Sequence, residues 1–255
     1  MNKRMNINPK FFGGKLWKGF KTMFFVTILL VLNACNVDTI FPSGKIVSET
    51  RNVNYFEKIS VSAGIKLVVY NGEQDVFVEA HENLHKYMEI YVKDNCLYVH
   101  PQNKISFGGN SQITVYVTAE HIKSVSAAGG AKVEIPALLS SDELSLKCSG
   151  GSKLECENRG EIRCNQLFVD ISGGSKMELE GSADAVNMKI SGGGRMDAFY
   201  LDIIALEVLM SGGATAEMNV SETISGSLSG GSRISYKGNP SVSVETSGGS
   251  KVKKD

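Results

Sequence analysis

Apolar and polar residues alternate in short segments along the second half of this chain, and each pair of such segments flanks a Ser-Gly-Gly or closely similar sequence. The first glycines of seven copies lie 18 to 23 residues apart. Alternation with a period of two indicates strands with one buried face, and a repeat of about twenty residues indicates stacked rungs. The seven copies are Ala128-Gly129-Gly130, Ser149-Gly150-Gly151, Ser172-Gly173-Gly174, Ser191-Gly192-Gly193, Ser211-Gly212-Gly213, Ser229-Gly230-Gly231 and Ser247-Gly248-Gly249.

Aligned on the glycine pair, the copies form apolar columns on both sides of it. A single repeat cannot bury its apolar face, whereas rungs stacked about 4.8 Å apart close a core. The pattern therefore predicts an all-β, single-domain parallel β-helix (a β-solenoid) with rungs of 18–23 residues, right-handed by the usual chirality of parallel crossovers. The column two residues before the first glycine is Ala127, Cys148, Ile171, Ile190, Met210, Leu228 and Thr246. The column four residues after it is Val133, Leu154, Met177, Met196, Ala216, Ile234 and Val252.

The glycine pair predicts a sharp corner between two strands. It can supply positive φ, or let the backbones of adjacent rungs approach closely. A nest of backbone N–H groups that binds an anion is the functional alternative. We expect the serines before each pair to satisfy corner backbone groups, and a polar return such as residues 180–184 to end each repeat.

Two outward columns carry charge, one basic and the next acidic. A solvated face that keeps the sheet soluble is the simpler interpretation. The functional interpretation is a docking surface for a charged polymer or protein. Its candidate residues are Lys153, Glu155, Lys176, Glu178, Arg195 and Asp197.

The first residues have the pattern of an export signal. Residues 1–34 hold six basic residues and no acidic one, which leaves 21 basic against 27 acidic residues, a net charge of −6. The apolar run Met23–Leu32 and the following Leu-Asn-Ala-Cys predict a signal peptide (1–34) that ends in a lipobox, with lipid on Cys35 and a tether over 35–44. Cys35 would then attach the protein to a membrane, and the acidic body argues against nucleic acid as a partner.

Residues 45–125 are less regular than 126–255, and we interpret them as the opening rungs or cap of the same solenoid. His81-Glu82-Asn83-Leu84-His85 matches the HExxH zinc-hydrolase motif, which needs a sustained helix and a third ligand. A strand precedes the motif and another soon follows, so a surface turn with two solvated histidines is expected instead. We predict no metal, no cofactor and no catalytic residue.

Four cysteines remain besides Cys35. Cys148 and Cys156 fall in inward columns on either side of one corner. They can be buried free thiols or a disulfide within one rung, because an oxidising compartment permits either. Cys96 and Cys164 are the other two, and the four lack the paired spacing of a zinc site.

Several motifs together resemble a known family. These are the repeated Ser-Gly-Gly-Ser-Lys/Arg-apolar-Glu pattern, Glu82-Asn83-Leu84 followed by residues 94–99, and the ending over 236–240 and 246–252. The chain resembles the head GIN domain family of auto-transporter adhesins, found in Bacteroidetes lipoproteins, over about residues 45–255. The resemblance implies an extracytoplasmic β-solenoid and supplies no catalytic residues.

We therefore expect a non-enzymatic, lipid-anchored protein of the cell envelope, at the outer membrane, that presents a binding surface for a protein or polysaccharide, with adhesion as one use. Whether the solenoid faces the periplasm or the outside stays open. The alternatives are a structural or accessory periplasmic protein and a carbohydrate-active β-helix enzyme.

Overall fold

The computed structural model describes residues 37–255, which form twenty strands and one 3₁₀ helix, His85–Tyr87. The predicted signal peptide and lipidated Cys35 lie outside the described residues. The strands are β1 (Asp38–Ile40), β2 (Ile46–Thr50), β3 (Lys58–Val61), β4 (Lys66–Asn71), β5 (Asp75–His81), β6 (Met88–Lys93), β7 (Cys96–Pro101), β8 (Ile105–Phe107), β9 (Thr114–Ala119), β10 (Ser124–Ala127), β11 (Lys132–Ile135), β12 (Leu139–Cys148), β13 (Lys153–Cys156), β14 (Ile162–Ile171), β15 (Lys176–Ile190), β16 (Arg195–Met210), β17 (Thr215–Leu228), β18 (Arg233–Lys237), β19 (Ser241–Thr246) and β20 (Lys251–Lys254).

Parallel strands stack into a β-solenoid of about seven turns, which confirms the predicted fold class. Strands before the corners form one stack, here called the pre-corner stack, in the order β7, β3, β10, β12, β14, the C-terminal halves of β15, β16 and β17, then β19. The post-corner stack is β9, β4, β11, β13, the N-terminal halves of β15, β16 and β17, then β18 and β20.

The core lies between the stacks and consists of the predicted apolar columns. Val125 pairs with Leu146, Leu146 with Val169, and Val169 with Met188, all of them buried. A slip of one residue would turn such a column to solvent, so burial of one face fixes the register.

The first glycine supplies the predicted positive φ at every corner, and at some corners it also permits the predicted close approach of adjacent rungs. This glycine has φ between +56° and +79° in all seven copies. A Cβ on Gly212 would also lie 2.7 Å from the carbonyl oxygen of Gly192 in the rung below. At two corners the amide of the second glycine has a partner within the protein, since Gly193 N–H donates to Gly173 O (2.9 Å) and Gly213 N–H to Gly192 O (2.8 Å). These bonds favour the structural interpretation over an anion nest.

One local expectation was wrong, and a second was met only in part. The segment 180–184 is part of the continuous strand β15 instead of a loop, and the chain bends there at Gly181 (φ +119°), whose Cβ would meet Ile162 O at 2.0 Å. Among side chains, the serine after the glycine pair bonds corner carbonyls more often than the serine before it. The buried Ser152 and Ser175 donate to Ala127 O and Ser172 O, both at 2.9 Å, and of the serines before the pair Ser229 donates to Met210 O at 3.4 Å.

The N-terminal end of the solenoid is closed by the antiparallel strands β2, β5 and β6, here called the cap. β6 pairs with β7, and β5 lies between β9 and β2. The rung formed by β3 and β4 has β7 and β9 on the side towards the cap. On its other side it pairs with the next regular rung, β10 and β11. Phe56 and Leu84 are fully buried in the same core cluster as the regular rungs. The cap therefore shields the first rungs from water.

Candidate functional site

The predicted charge columns exist on the outer face of the post-corner stack. Lys132 pairs in register with Lys153, Lys153 with Lys176, and Lys176 with Arg195. Glu134, Glu155, Glu178 and Asp197 follow the same register two residues on. The repeat spacing was therefore sufficient to place all six predicted binding residues on one face, Lys153, Glu155, Lys176, Glu178, Arg195 and Asp197.

Lysines bridge carboxylates within this face. Lys132 Nζ lies 2.7 Å from Glu134 Oε1, 2.7 Å from Glu155 Oε1 and 3.1 Å from Glu157 Oε1. Lys66 Nζ lies 2.7 Å from the same Glu134 oxygen. Because adjacent rungs share lysines, the like charges of each column are neutralised by the neighbouring column.

Glu134 and Glu155 are buried beneath the lysine side chains, and only 6% and 5% of their surfaces are exposed. Burial alone would raise the pKa of Glu155, but the ammonium groups of Lys132 and Lys153 outweigh it and lower that pKa to about 2. Burial likewise opposes the charge of Lys132, yet its three carboxylate partners raise its pKa well above the usual range. The pKa of Glu157 is raised, first of all by its contact with Glu155.

Glu134, Glu155 and Glu157 bring carboxylate oxygens within 4.8 Å of one another, the one group among residues 37–255 with spacing suited to a metal ion. The Lys132 ammonium already contacts all three. It therefore takes the position that a cation would need. Glu155 Oε1 has that ion pair but no aligned hydrogen-bond donor. The three carboxylates therefore bind a cation that the protein itself supplies, the Lys132 ammonium. This arrangement fits them better than a metal site or an acid–base pair open to substrate.

The six predicted residues differ in how free they are. Lys153 and Lys176 bond to the glutamates of their own rungs, Glu155 and Glu178. Arg195 lies 3.6 Å from Glu217, and Asp197 has no ion pair with any residue from 37 to 255. Most of the charge on this face is thus engaged internally, and its role as a binding face stays a prediction.

The HExxH sequence lies at the cap, not on a sustained helix. β5 ends at His81, and the 3₁₀ helix of three residues begins at His85. His85 is buried, with Nε2 3.2 Å from both Val47 O and Ala80 O. His81 Nδ1 lies 3.0 Å from Gly44 O. The two rings thus contact backbone carbonyls that join the cap strands. The motif forms a turn, as expected, but His85 is buried, which corrects the expectation of two solvated histidines.

The cysteines described by the structure are free thiols. Of the two alternatives for Cys148 and Cys156, the structure contains the thiols. Burial raises the pKa of Cys148, Cys156 and Cys164 to about 11, so the nucleophilic thiolate is scarce at neutral pH.

A second surface was missed by the analysis of the sequence. On the outer face of the pre-corner stack, Phe168 occupies an outward position with 37% of its surface exposed. It lines a shallow groove of about 390 Å³ together with Ser145, Lys147, Asp170 and Asn187. The available signal was a large aromatic residue at an outward position of an alternating strand.

Comparison with known proteins gives the family. A family model described as "Putative auto-transporter adhesin, head GIN domain" matches residues 55–240. The chain belongs to this head GIN domain family. The match confirms the resemblance inferred from the Ser-Gly-Gly motifs. A search of curated proteins found no match.

Solved structures of similar fold come from Bacteroides and Parabacteroides species. A putative adhesin of Bacteroides fragilis is 22% identical with a TM-score of 0.76, and the match covers 85% of this chain and all of that one. A putative adhesin of Parabacteroides merdae is 21% identical (TM-score 0.69; 86% of this chain, all of that one). A Parabacteroides distasonis protein named a putative lipid binding protein is 14% identical (TM-score 0.72; 86% and 100%). At these identities the structures support the fold alone.

Within residues 37–255, no helix is both long and apolar enough to cross a membrane.

Proposed function

We propose that this head GIN domain protein is a non-enzymatic adhesin of the cell envelope, held to the outer membrane by lipid on Cys35. The observation that carries the proposal is the form of the solenoid. Its stacked strands present extended outer faces, and the grooves at Phe168 and at the cap are shallow and lie on the surface. Extended faces of this kind are typical of repeat proteins that bind partners over a broad area.

Three further features support the proposal. Family membership connects the chain with proteins described as auto-transporter adhesins. The lipobox ending at Cys35 would place the solenoid next to a membrane. The carboxylate trio bonded to Lys132 gives no open pair of carboxylates for sugar cleavage.

The experiment compares the wild-type chain with Cys35→Ser in the native host. We expect the wild type to fractionate with the outer membrane, to be removed by protease added to intact cells, and to increase adhesion of those cells to an immobilised polysaccharide or protein layer. Cys35→Ser should leave the membrane fraction and lose the adhesion. A periplasmic marker that survives the protease is the control for cell integrity.

Complete protection of the wild type from added protease would contradict the adhesin. It would favour the accessory role in the periplasm instead.

A further inference from the structure

The outer face of the pre-corner stack has a floor of small hydroxyl side chains. Ser60 pairs in register with Ser126, and Ser124 pairs with Ser145 in the next column. All four are partly exposed, and none of their hydroxyls makes a hydrogen bond with another residue of the described range 37–255. Each hydroxyl can donate one hydrogen bond and accept others. The floor is therefore polar, uncharged and free to bond a ligand.

Aromatic rings lie at both ends of this floor. Tyr98 follows Ser60 in the column towards the cap, and its ring stacks on that of Tyr91 with centroids 5.3 Å apart. Phe168 follows Ser145 on the other side. Tyr98 on β7 and Phe168 on β14 are separated by four strand spacings, about 19 Å. We call the strip from Tyr98 to Phe168 the serine groove, although only its Phe168 end, with Ser145, lines the shallow groove described above.

The charges beside the serine groove are of both signs and unpaired, and Lys58, which pairs in register with Ser124, likewise forms no ion pair within residues 37–255. Lys147, Asp170 and Lys189 succeed one another in one column, and Glu207 lies in the next. None of the four forms an ion pair within residues 37–255, in contrast to the lysines and glutamates of the post-corner face. A strongly acidic or strongly basic polymer would meet a like charge here, whereas a neutral ligand with many hydroxyls would find donors and acceptors of both kinds.

Two classes of ligand, an added peptide strand and a protein partner, fit this face poorly. Strands β3, β10 and β12 are bonded to neighbours on both sides, so an added peptide strand has no free backbone edge to pair with. The floor has no apolar centre of the kind that anchors protein–protein interfaces. Hydroxyls between two aromatic rings instead match a chain that carries hydroxyl groups at its edges and C–H groups on its faces.

We propose that the serine groove binds a neutral linear glycan, with sugar rings lying on Phe168 and Tyr98 and sugar hydroxyls bonded to the serine floor. This inference rests on the proposed function, because it names the ligand class of the adhesive surface. No bond is made or broken in the bound glycan.

The test uses the full chain in detergent micelles on an array of immobilised neutral linear oligosaccharides, with sulfated glycosaminoglycans as the charged comparison. We expect binding to members of the neutral set. Phe168→Ala should weaken this binding about tenfold or more, and Phe168→Tyr, which keeps the ring, should retain it. Ser126→Arg should block the floor without removing an aromatic ring. Tyr200→Ala removes a ring that is 75% exposed elsewhere on the surface and should change nothing.

Three results would overturn the inference: no binding to any neutral glycan, binding confined to the sulfated polymers, or neutral binding that Phe168→Ala and Ser126→Arg leave intact. Thermal melting of each variant separates lost binding from lost fold. Adhesion of intact cells that persists while the array stays blank would remove the glycan groove and leave the proposed adhesin standing. If the chain binds the array but is fully protected from protease in cells, the adhesin proposal falls and the glycan groove stands.

Discussion

At the scale of the residue, Lys132 is the most connected charge on the post-corner face. It contacts three carboxylates, and two of them, Glu134 and Glu155, are buried. A buried carboxylate without a counterion is costly, and exposed ion pairs contribute little. The columns therefore contain two kinds of lysine. One kind neutralises the buried glutamates, and the other is exposed and contributes only to solvation of the surface.

Lys132→Met tests this distinction, with Lys251→Met as the matched control in the same column. Methionine keeps most of the side-chain volume but removes the charge that Glu155 and Glu134 share, so we expect a loss of about 3 kcal/mol in the free energy of unfolding. Lys251 is exposed and has no ion pair among the described residues, so its loss should change stability by less than about 0.5 kcal/mol. Urea denaturation at pH 7 measures both. Equal effects would mean that the carboxylates do not depend on Lys132.

At the scale of the element, the corner at Gly212-Gly213 depends on one glycine more than the other. In the pair Gly212-Gly213, only Gly212 has positive φ, and only its added Cβ would meet the backbone below, at 2.7 Å. The nearest backbone atom to a Cβ on Gly213 is 4.0 Å away. The two positions look the same in the repeat but have different steric limits.

We therefore expect Gly212→Ala to destabilise the protein by at least about 1–2 kcal/mol, because alanine must adopt a left-handed conformation and also displace Gly192. Gly213→Ala should be near neutral or slightly stabilising, since it restricts the unfolded chain without a clash. Melting temperatures of the two single variants give the comparison. A greater loss for Gly213→Ala would show that the corner relies on the second glycine.

These elements also show what sequence could predict and where it failed. Columns of apolar and charged residues were placed correctly because the repeat has a period of two within strands and about twenty between rungs. The bend inside β15 was missed because Gly181 is a single glycine in a polar run, which looks like a loop. The pairing of Glu155 with two lysines could not be predicted, because its burial depends on how long side chains fold over one face.

At the scale of the whole molecule, the solenoid is a stack of rungs closed at its N-terminal end by β2, β5 and β6. Contacts in such a stack are made chiefly between neighbouring rungs, so stability is close to a sum of local contributions. The irregular cap sequence did not reveal that the chain places β7 and β9 outside β3 and β4 before it returns to β10. Because of that order, the cap strands pack next to the first rungs and cover their end of the core.

Leu84→Ala should therefore loosen the cap while leaving distant rungs intact. Leu84 is fully buried, and its truncation in a packed core costs about 2–5 kcal/mol. In hydrogen exchange we expect amides of β5, β6, β7 and β9 to lose protection, and those of β14 to β16 to keep it. Ile234→Ala, an equally buried position in β18, is the matched control and should deprotect β18 to β20 instead. If both variants raise exchange uniformly along the chain, the solenoid unfolds as one unit and the cap has no local role.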